Sequence, residues 1–178
     1  MPKYIAFLRA INVGGHTVKM DYLRQVFESL GFSSVETFIA SGNVVFESPV
    51  KNVNALERKI ETALHKALGY KVPTFIRTDA QVAAIAEYKP FTDAEMKVAT
   101  ALNIAFLAEP LDAKAKRQVL ELKTDIDTFH VHGREIYWLC RKKQSESTFS
   151  NAVLEKALGE PSTIRGASTI KRLVEKFA

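Results

Sequence analysis

The sequence has little cysteine and no long apolar run. Cys140 is its only cysteine, which excludes an intrachain disulfide and a thiolate metal cluster. No apolar stretch reaches the roughly 20 residues that cross a bilayer. The opening residues Met1 to Lys3 lead directly into a strand pattern instead of the apolar core of a signal peptide. The sequence therefore predicts a cytoplasmic protein that does not associate with membranes.

The composition is that of a packed globular protein with a modest excess of positive charge. The formal net charge is +5, and 47% of the 178 residues are hydrophobic, which excludes a disordered chain. Lysine and arginine alternate with acidic residues, so the pattern favours a solvated surface over a binding stripe. Charge alone permits a weak attraction to polyanions, and no motif for nucleic-acid binding supports it.

Hydrophobic periodicity in the first half predicts the order strand, helix, strand, strand, helix, strand. The first strand is an apolar run that begins at Tyr4, and Ser41-Gly42-Asn43 has the residue types of a tight hairpin turn. Asn54 and Glu57 have the spacing of a capping box, and Gly69 stands where the second helix should end. This order is the ferredoxin-like βαββαβ arrangement, with both helices on one face of an antiparallel sheet.

The same order of elements recurs in the second half, although the residue identities do not repeat. Its last strand is predicted at 162–165, before a final helix capped by Ser168. The sequence therefore predicts an α+β fold of two ferredoxin-like subdomains with antiparallel sheets. They comprise residues 1–88 and 99–178, and residues 89–98 form a connection.

The leading candidate site is the bend between the first strand and the first helix. Gly14 and Gly15 lie there between Asn12 and Lys19, where backbone N–H groups and a helix N-terminus can surround an anion. The stretch is neither a Walker loop nor the three-glycine dinucleotide fingerprint. The alternative is a glycine pair that only turns the chain.

Two arginines and the hairpin turn could complete such a site. Arg9 interrupts the apolar first strand, so its guanidinium needs a carboxylate or carbonyl partner, or it faces a ligand. Residues 41–43 offer a hydroxyl and an amide, yet a tight turn needs these residue types by itself. Arg165 precedes the last helix, where it could contact an anion or pair with Glu160 on the surface.

No other group of residues predicts a reaction. His130 and His132 share one face of a strand, a spacing that metal sites use, but no third ligand is evident and surface histidines are expected. Asp125 and Asp127 are interpreted as part of a turn instead of an acid pair. No nucleophile, base and orienting group can be identified together, so enzymatic activity is left open, and no cofactor or metal is expected.

Three segments resemble a known family. Residues 7–15 read FLRAINVGG, residues 37–46 read TFIASGNVVF, and TIR at 163–165 leads into TIKRL at 169–173. They resemble the bacterial family called domain of unknown function 1697, over nearly the whole chain. The resemblance implies a pair of ferredoxin-like units, and it implies no activity.

The chain also departs from that family at three places. The family usually has glycine where this chain has Ala10, and asparagine and an aromatic residue where it has Gly166 and Ala167. The segment 141–148 replaces a loop that usually contains proline, glycine and basic residues. The departures at Gly166 and Ala167 imply an altered C-terminal site. If the loop at 141–148 binds anions in relatives, the segment in this chain is expected to bind them less well.

Three hypotheses about function follow. The leading one is binding of a small anionic or phosphorylated ligand at the Gly14–Gly15 loop. Its predicted contacts are Arg9, Asn12, Gly14, Gly15, Lys19, Ser41, Gly42, Asn43 and Arg165. The second is nucleic-acid binding on open sheet faces, and the third is a protein-interaction module that pairs through strands bearing Trp138. The oligomeric state is left open.

Overall fold

A computed structural model describes residues 1–9, 11, 17–38 and 42–177 of the chain, apart from the side chain of Gln144. The strands are β1 (Lys3–Leu8), β2 (Ser33–Phe38), β3 (Asn43–Glu47), β4 (Thr74–Thr78), β5 (Ala101–Phe106), β6 (Asp127–His132), β7 (Glu135–Cys140) and β8 (Thr163–Gly166). The helices are α1 (Met20–Ser29), α2 (Val53–Leu68), α3 (Asp79–Glu87), α4 (Asp93–Lys97), α5 (Ala113–Leu120), α6 (Asn151–Leu158) and α7 (Ala167–Phe177), with a 3₁₀ turn at Gln144–Glu146.

The first compact unit comprises Met1–Ile85 and the C-terminal residues from Arg172 onward. Its sheet has the order β2-β3-β1-β4, and every neighbouring pair is antiparallel. Helices α1 and α2 pack on one face because their apolar residues recur every three or four positions. The buried residues of this core include Leu8, Leu23, Phe27, Phe46, Leu56, Ile60 and Ile76.

The second compact unit comprises Ala86–Lys171. Its sheet has the order β6-β7-β5-β8, again with antiparallel neighbours throughout. Helices α5 and α6 supply the buried Val119 and Leu154 to one face of this sheet. Both sheets thus have the ferredoxin-like strand order, and the predicted α+β fold of two similar subdomains is confirmed.

Helix ends follow local signals in most places, but the predicted start of α2 needs a correction. Gly69 and Gly159 end α2 and α6 in left-handed conformations, as expected. The predicted capping box at Asn54 and Glu57 is wrong, because Asn52 caps α2 by accepting a hydrogen bond from Ala55 N. Glu57 instead lies inside the helix and accepts a hydrogen bond from Ile76 N of β4 at 2.9 Å.

The segment predicted as a connection also contains regular structure. Thr92 and Glu95 form a capping box at the start of α4.

At the other end of the chain, α7 begins at Ala167, so Ser168 lies within its first turn and is not the residue before the helix. The division into domains at 1–88, 89–98 and 99–178 stays a prediction. Among the described residues, no helix combines the length and hydropathy needed to span a membrane.

Candidate functional site

The end of β1 lies against the turn between β2 and β3. Leu8 N donates a hydrogen bond to Gly42 O at 2.9 Å. Gly42 has a φ of +86°, and a Cβ there would lie 2.8 Å from Ile11 Cγ2 and 3.2 Å from Leu8 Cβ. Only glycine combines this conformation with such close contacts. The two segments predicted to form the site therefore meet at one end of the first sheet.

Arg9 and Lys19 lie on either side of the predicted loop along the chain. The expectation that Arg9 lies within a strand is wrong, because β1 ends at Leu8 and the half-buried Arg9 follows in a turn. Its backbone N–H donates to Pro73 O at 3.0 Å. Lys19 is exposed and occupies the N-cap position of α1, where it forms no side-chain capping hydrogen bond within the described part of the chain.

Four of the predicted site residues lie outside the described residues. They are Asn12, Gly14, Gly15 and Ser41. Their contribution to ligand binding stays a prediction, and so does the hollow that backbone N–H groups would form there.

Asn43 has a structural role in the hairpin. It is fully buried, and its Nδ2 donates a hydrogen bond to Phe38 O at 2.9 Å. Asn43 also pairs with Phe38 across β2 and β3 and with Phe7 across β1 and β3. The amide therefore fixes the hairpin, which is the alternative that its residue type also predicted.

Arg165 does not lie on the surface, because it is part of β8 and only 7% exposed. Its Nη1 donates to Thr163 Oγ1 at 2.7 Å and to Ile164 O at 3.0 Å. Burial lowers the pKa of the guanidinium to about 10, which leaves it charged at neutral pH. Arg165 belongs to the second unit and Arg9 to the first, so their grouping in one site stays a prediction.

The first sheet contains a matching buried arginine that the sequence analysis missed. Arg77 lies in β4 opposite Ile5, as Arg165 lies in β8 opposite Ile104. Arg77 is 1% exposed, and its Nη1 donates to Ile76 O at 3.0 Å. Each predicted repeat has an arginine in its last strand. That the two arginines occupy matching positions is evident only from the pairing of the strands in the structure.

Comparison with known proteins supplies the identity of the fold. The family model described as a protein of unknown function (DUF1697) matches residues 1–137. The chain belongs to the DUF1697 family. It is similar to the solved structure of the conserved bacterial protein SP0830 from Streptococcus pneumoniae, with 26% sequence identity and a TM-score of 0.74. That similarity covers 98% of this chain and 97% of that chain.

The comparison with curated proteins finds no significant match. The predicted family resemblance is confirmed, and the similarity to the solved structure extends the fold beyond the segment that the DUF1697 model matches. Neither similarity brings an activity with it.

The histidine pair of this DUF1697 protein packs against an aromatic side chain. Tyr88 Oη lies 2.8 Å from His130 Nε2, and the Tyr88 ring stacks on His132 with centroids 4.0 Å apart. Burial, reinforced by the neighbouring His132, lowers the pKa of His130. No group of three or more metal-ligating side chains occurs within the described part of the chain.

Asp127 anchors the core of the second unit. It is fully buried and accepts hydrogen bonds from Trp138 Nε1 at 2.8 Å, Thr124 Oγ1 at 2.8 Å and Ser147 Oγ at 2.8 Å. Burial by itself would raise the pKa of Asp127, but the hydrogen bonds led by Trp138 lower it overall. Asp125 is exposed, so the two carboxyl groups occupy different environments.

The burial of both sheets bears on the alternative hypotheses. On the faces opposite α1 and α2 in the first unit and α5 and α6 in the second, the central strands carry the buried residues Ile5, Phe7, Val45, Ile104, Phe106 and Tyr137. These positions are not accessible to bases, so the nucleic-acid hypothesis loses its proposed surface. Strand β7, which bears Trp138, lies between β6 and β5 and has no edge to offer a partner strand.

Proposed function

We propose that this DUF1697 protein binds a small anionic, phosphorylated ligand at the Gly14–Gly15 loop. The supporting observation is the contact between Leu8 and Gly42, which lies where the two most distinctive sequence motifs approach each other. A loop that leaves a strand, passes a glycine pair and enters a helix presents backbone N–H groups to an anion.

The charges that flank this loop favour a negative ligand. Lys19 is exposed at the start of α1, and Arg9 is half-buried at the end of β1. The first turn of α1 has no side-chain cap among the described residues, so its positive dipole end suits an anion. Asp21 lies in the same turn and forms an ion pair with Arg24 at 3.5 Å, which partly offsets its negative charge.

A thermal-unfolding series tests the proposal with inorganic phosphate, a nucleoside monophosphate and a sugar phosphate at constant ionic strength. A bound probe at a hundredfold excess over its dissociation constant stabilises the folded state by about 2.7 kcal/mol, which raises Tm by about 5–11 °C. We expect at least one probe to do so for the unmodified chain. The Arg9→Gln variant should lose this response.

Arg58→Gln is the matched control, since Arg58 is an exposed arginine on α2 and is not among the proposed contacts. It should respond as the unmodified chain does. The proposal is wrong if no probe raises Tm, or if Arg9→Gln and Arg58→Gln respond equally.

A further inference from the structure

The C-terminal part of α7 places two cations over one phenylalanine of the first sheet. From Arg172 onward this helix belongs to the first compact unit. Arg172 Cζ and Lys176 Nζ each lie 5.5 Å from the centre of the Phe38 ring. The Phe177 ring contacts the same ring edge to face, with centroids 5.7 Å apart. Because Phe38 is the last residue of β2, both cations lie at the end of the sheet where the turn to β3 begins.

These two cations have no negative partner within the described part of the chain. Arg172 and Lys176 are exposed, lie one helical turn apart on α7 and form no ion pair there. The exposed carboxyl groups of Glu36, two residues before Phe38, and Glu175, beside Lys176, form no ion pair with them either. Like charges four residues apart on a helix repel each other. An anion bound between them would relieve this repulsion, and both side chains suit phosphate.

The strand register shows how far these cations lie from the proposed phosphate site. Phe38 pairs with Asn43, and Asn43 pairs with Phe7, so the three residues form one row across one face of the sheet. Two strand spacings separate β2 from β1, which is about 10 Å. Arg9 follows two residues after Phe7, and its N–H still bonds to the chain just before β4, so strand alternation places it on the same face. The two cations and Arg9 therefore lie at the same end of one face.

We infer that Arg172 and Lys176 form a second phosphate subsite and that the ligand is a small molecule with two separated phosphate groups. This inference rests on the phosphate site proposed at the Gly14–Gly15 loop. A separation of about 10 Å suits phosphates at the two ends of a sugar-sized body. The phosphates of a diphosphate share one oxygen and are too close together to span it.

The charges support the same class of ligand. Each phosphate group carries a charge of about −1.5 to −2 at neutral pH. Two such groups are matched by the four cations of the two subsites, which are Arg9, Lys19, Arg172 and Lys176. A ligand with one phosphate would leave the pair on α7 without a counter-charge.

Fructose 1,6-bisphosphate and fructose 6-phosphate are the matched probes, because they differ by one phosphate group. Each is titrated into the full-length protein at constant ionic strength, and binding is followed by isothermal titration calorimetry. We expect the bisphosphate to bind at least about tenfold more tightly. Lys176→Gln should weaken bisphosphate binding by about tenfold and leave the affinity for the monophosphate unchanged, because the monophosphate needs only the loop.

Lys59→Gln is the matched control. Lys59 is also an exposed lysine over a phenylalanine, with its Nζ 5.4 Å from the centre of the Phe32 ring. It lies on α2, and Phe32 precedes β2 whereas Phe38 ends it. The substitution removes the same charge and the same type of contact at a distance from both subsites, so it should change neither affinity.

The outcomes separate this inference from the proposed function. The second subsite is wrong, and the loop site stands, if fructose 6-phosphate binds and the bisphosphate binds no more tightly. It is also wrong if Lys176→Gln and Lys59→Gln have equal effects on bisphosphate binding. If Lys176→Gln weakens that binding and Arg9→Gln does not, the loop site and the two-phosphate ligand are both wrong. If neither probe binds, the inference is wrong whatever the thermal-unfolding series shows for the loop.

Discussion

The two sheets differ most at one matching position on their helix side. Tyr4 in β1 lies opposite Phe46, as Asn103 in β5 lies opposite Trp138. Tyr4 is 2% exposed, and its Oη donates a hydrogen bond to Val50 O at 2.7 Å. The first unit fills this place with a satisfied aromatic side chain. The second has an open pocket there, lined by Asn103, Trp138 and Ile164, and Asn103 Nδ2 has no hydrogen-bond partner among the described residues.

This difference shows that the shared arrangement of the backbone does not determine whether side chains fill the space between the sheet and the helices. In both sheets an isoleucine of the central strand faces a buried arginine, so the strand pairing is the same. The residue that precedes this isoleucine is Tyr4 in β1 and Asn103 in β5. Its size then decides whether the space under the helices is filled. A ring of tyrosine size fills the space between the sheet and the helices, and the smaller asparagine does not.

The largest expected effect comes from replacing Tyr4 of the first unit with asparagine, the residue at the matching position of the second unit. Tyr4→Asn removes a buried ring and leaves an amide without the hydroxyl's partner, so we expect a loss of about 4 kcal/mol of stability. Urea unfolding followed by circular dichroism measures it. Tyr22→Asn is the control at an exposed tyrosine and should cost well under about 1 kcal/mol. Similar losses in both variants would mean that Tyr4 does not fill the core.

A second prediction concerns Asp127, the buried anchor of the second unit. Asp127→Ala leaves Trp138 Nε1 and two hydroxyl groups without their acceptor, so we expect a loss of about 3 kcal/mol at neutral pH. Asp125→Ala, at an exposed carboxyl in the same turn, should change stability by less than about 0.5 kcal/mol. The prediction fails if the two variants unfold at the same urea concentration.

The same anchor gives the second unit a sensitivity to acid. The pKa of Asp127 is lower in the folded chain, so its stabilisation is present above the unfolded pKa of about 3.9. It is lost as the pH falls through the lower folded value. The stability difference between the unmodified chain and Asp127→Ala should therefore shrink below pH ~4.

The smallest predicted difference compares the hairpin turns of the two units. Gly42 and Gly133 both have positive φ, at 86° and 60°, but only Gly42 is crowded, by Leu8 and Ile11. Gly133→Ala should cost about 1 kcal/mol for the left-handed conformation alone. Gly42→Ala adds a steric clash and should cost about 2–3 kcal/mol. Equal costs would show that the end of β1 can move away from the turn.

The order of elements was predictable because its signals are local. Apolar residues with helical spacing and glycines at helix ends, such as Gly69 and Gly159, need no knowledge of distant strands. The helix start at Asn52 was missed because Glu57, which suggested a capping box, is used by a tertiary hydrogen bond to β4.

The candidate sites depend on contacts that the sequence does not display. Arg165 resembled a surface residue beside a helix, and only the pairing of β8 with β5 shows that it is buried. The sequence analysis did not single out Asn103, which stands between Leu102 and Ile104. Its significance arises from Gly166 across the sheet and from the helices above it, which are set by strand register and packing.

The stability of the Asn103→Leu variant tests the contrast between the two units most directly, by urea unfolding without added ligand. If the amide is buried and unpaired, its removal should raise the free energy of unfolding by about 1 kcal/mol. A decrease of about 1 kcal/mol or more would contradict the account. It would show that the asparagine already has a partner and that the second unit is as fully packed as the first.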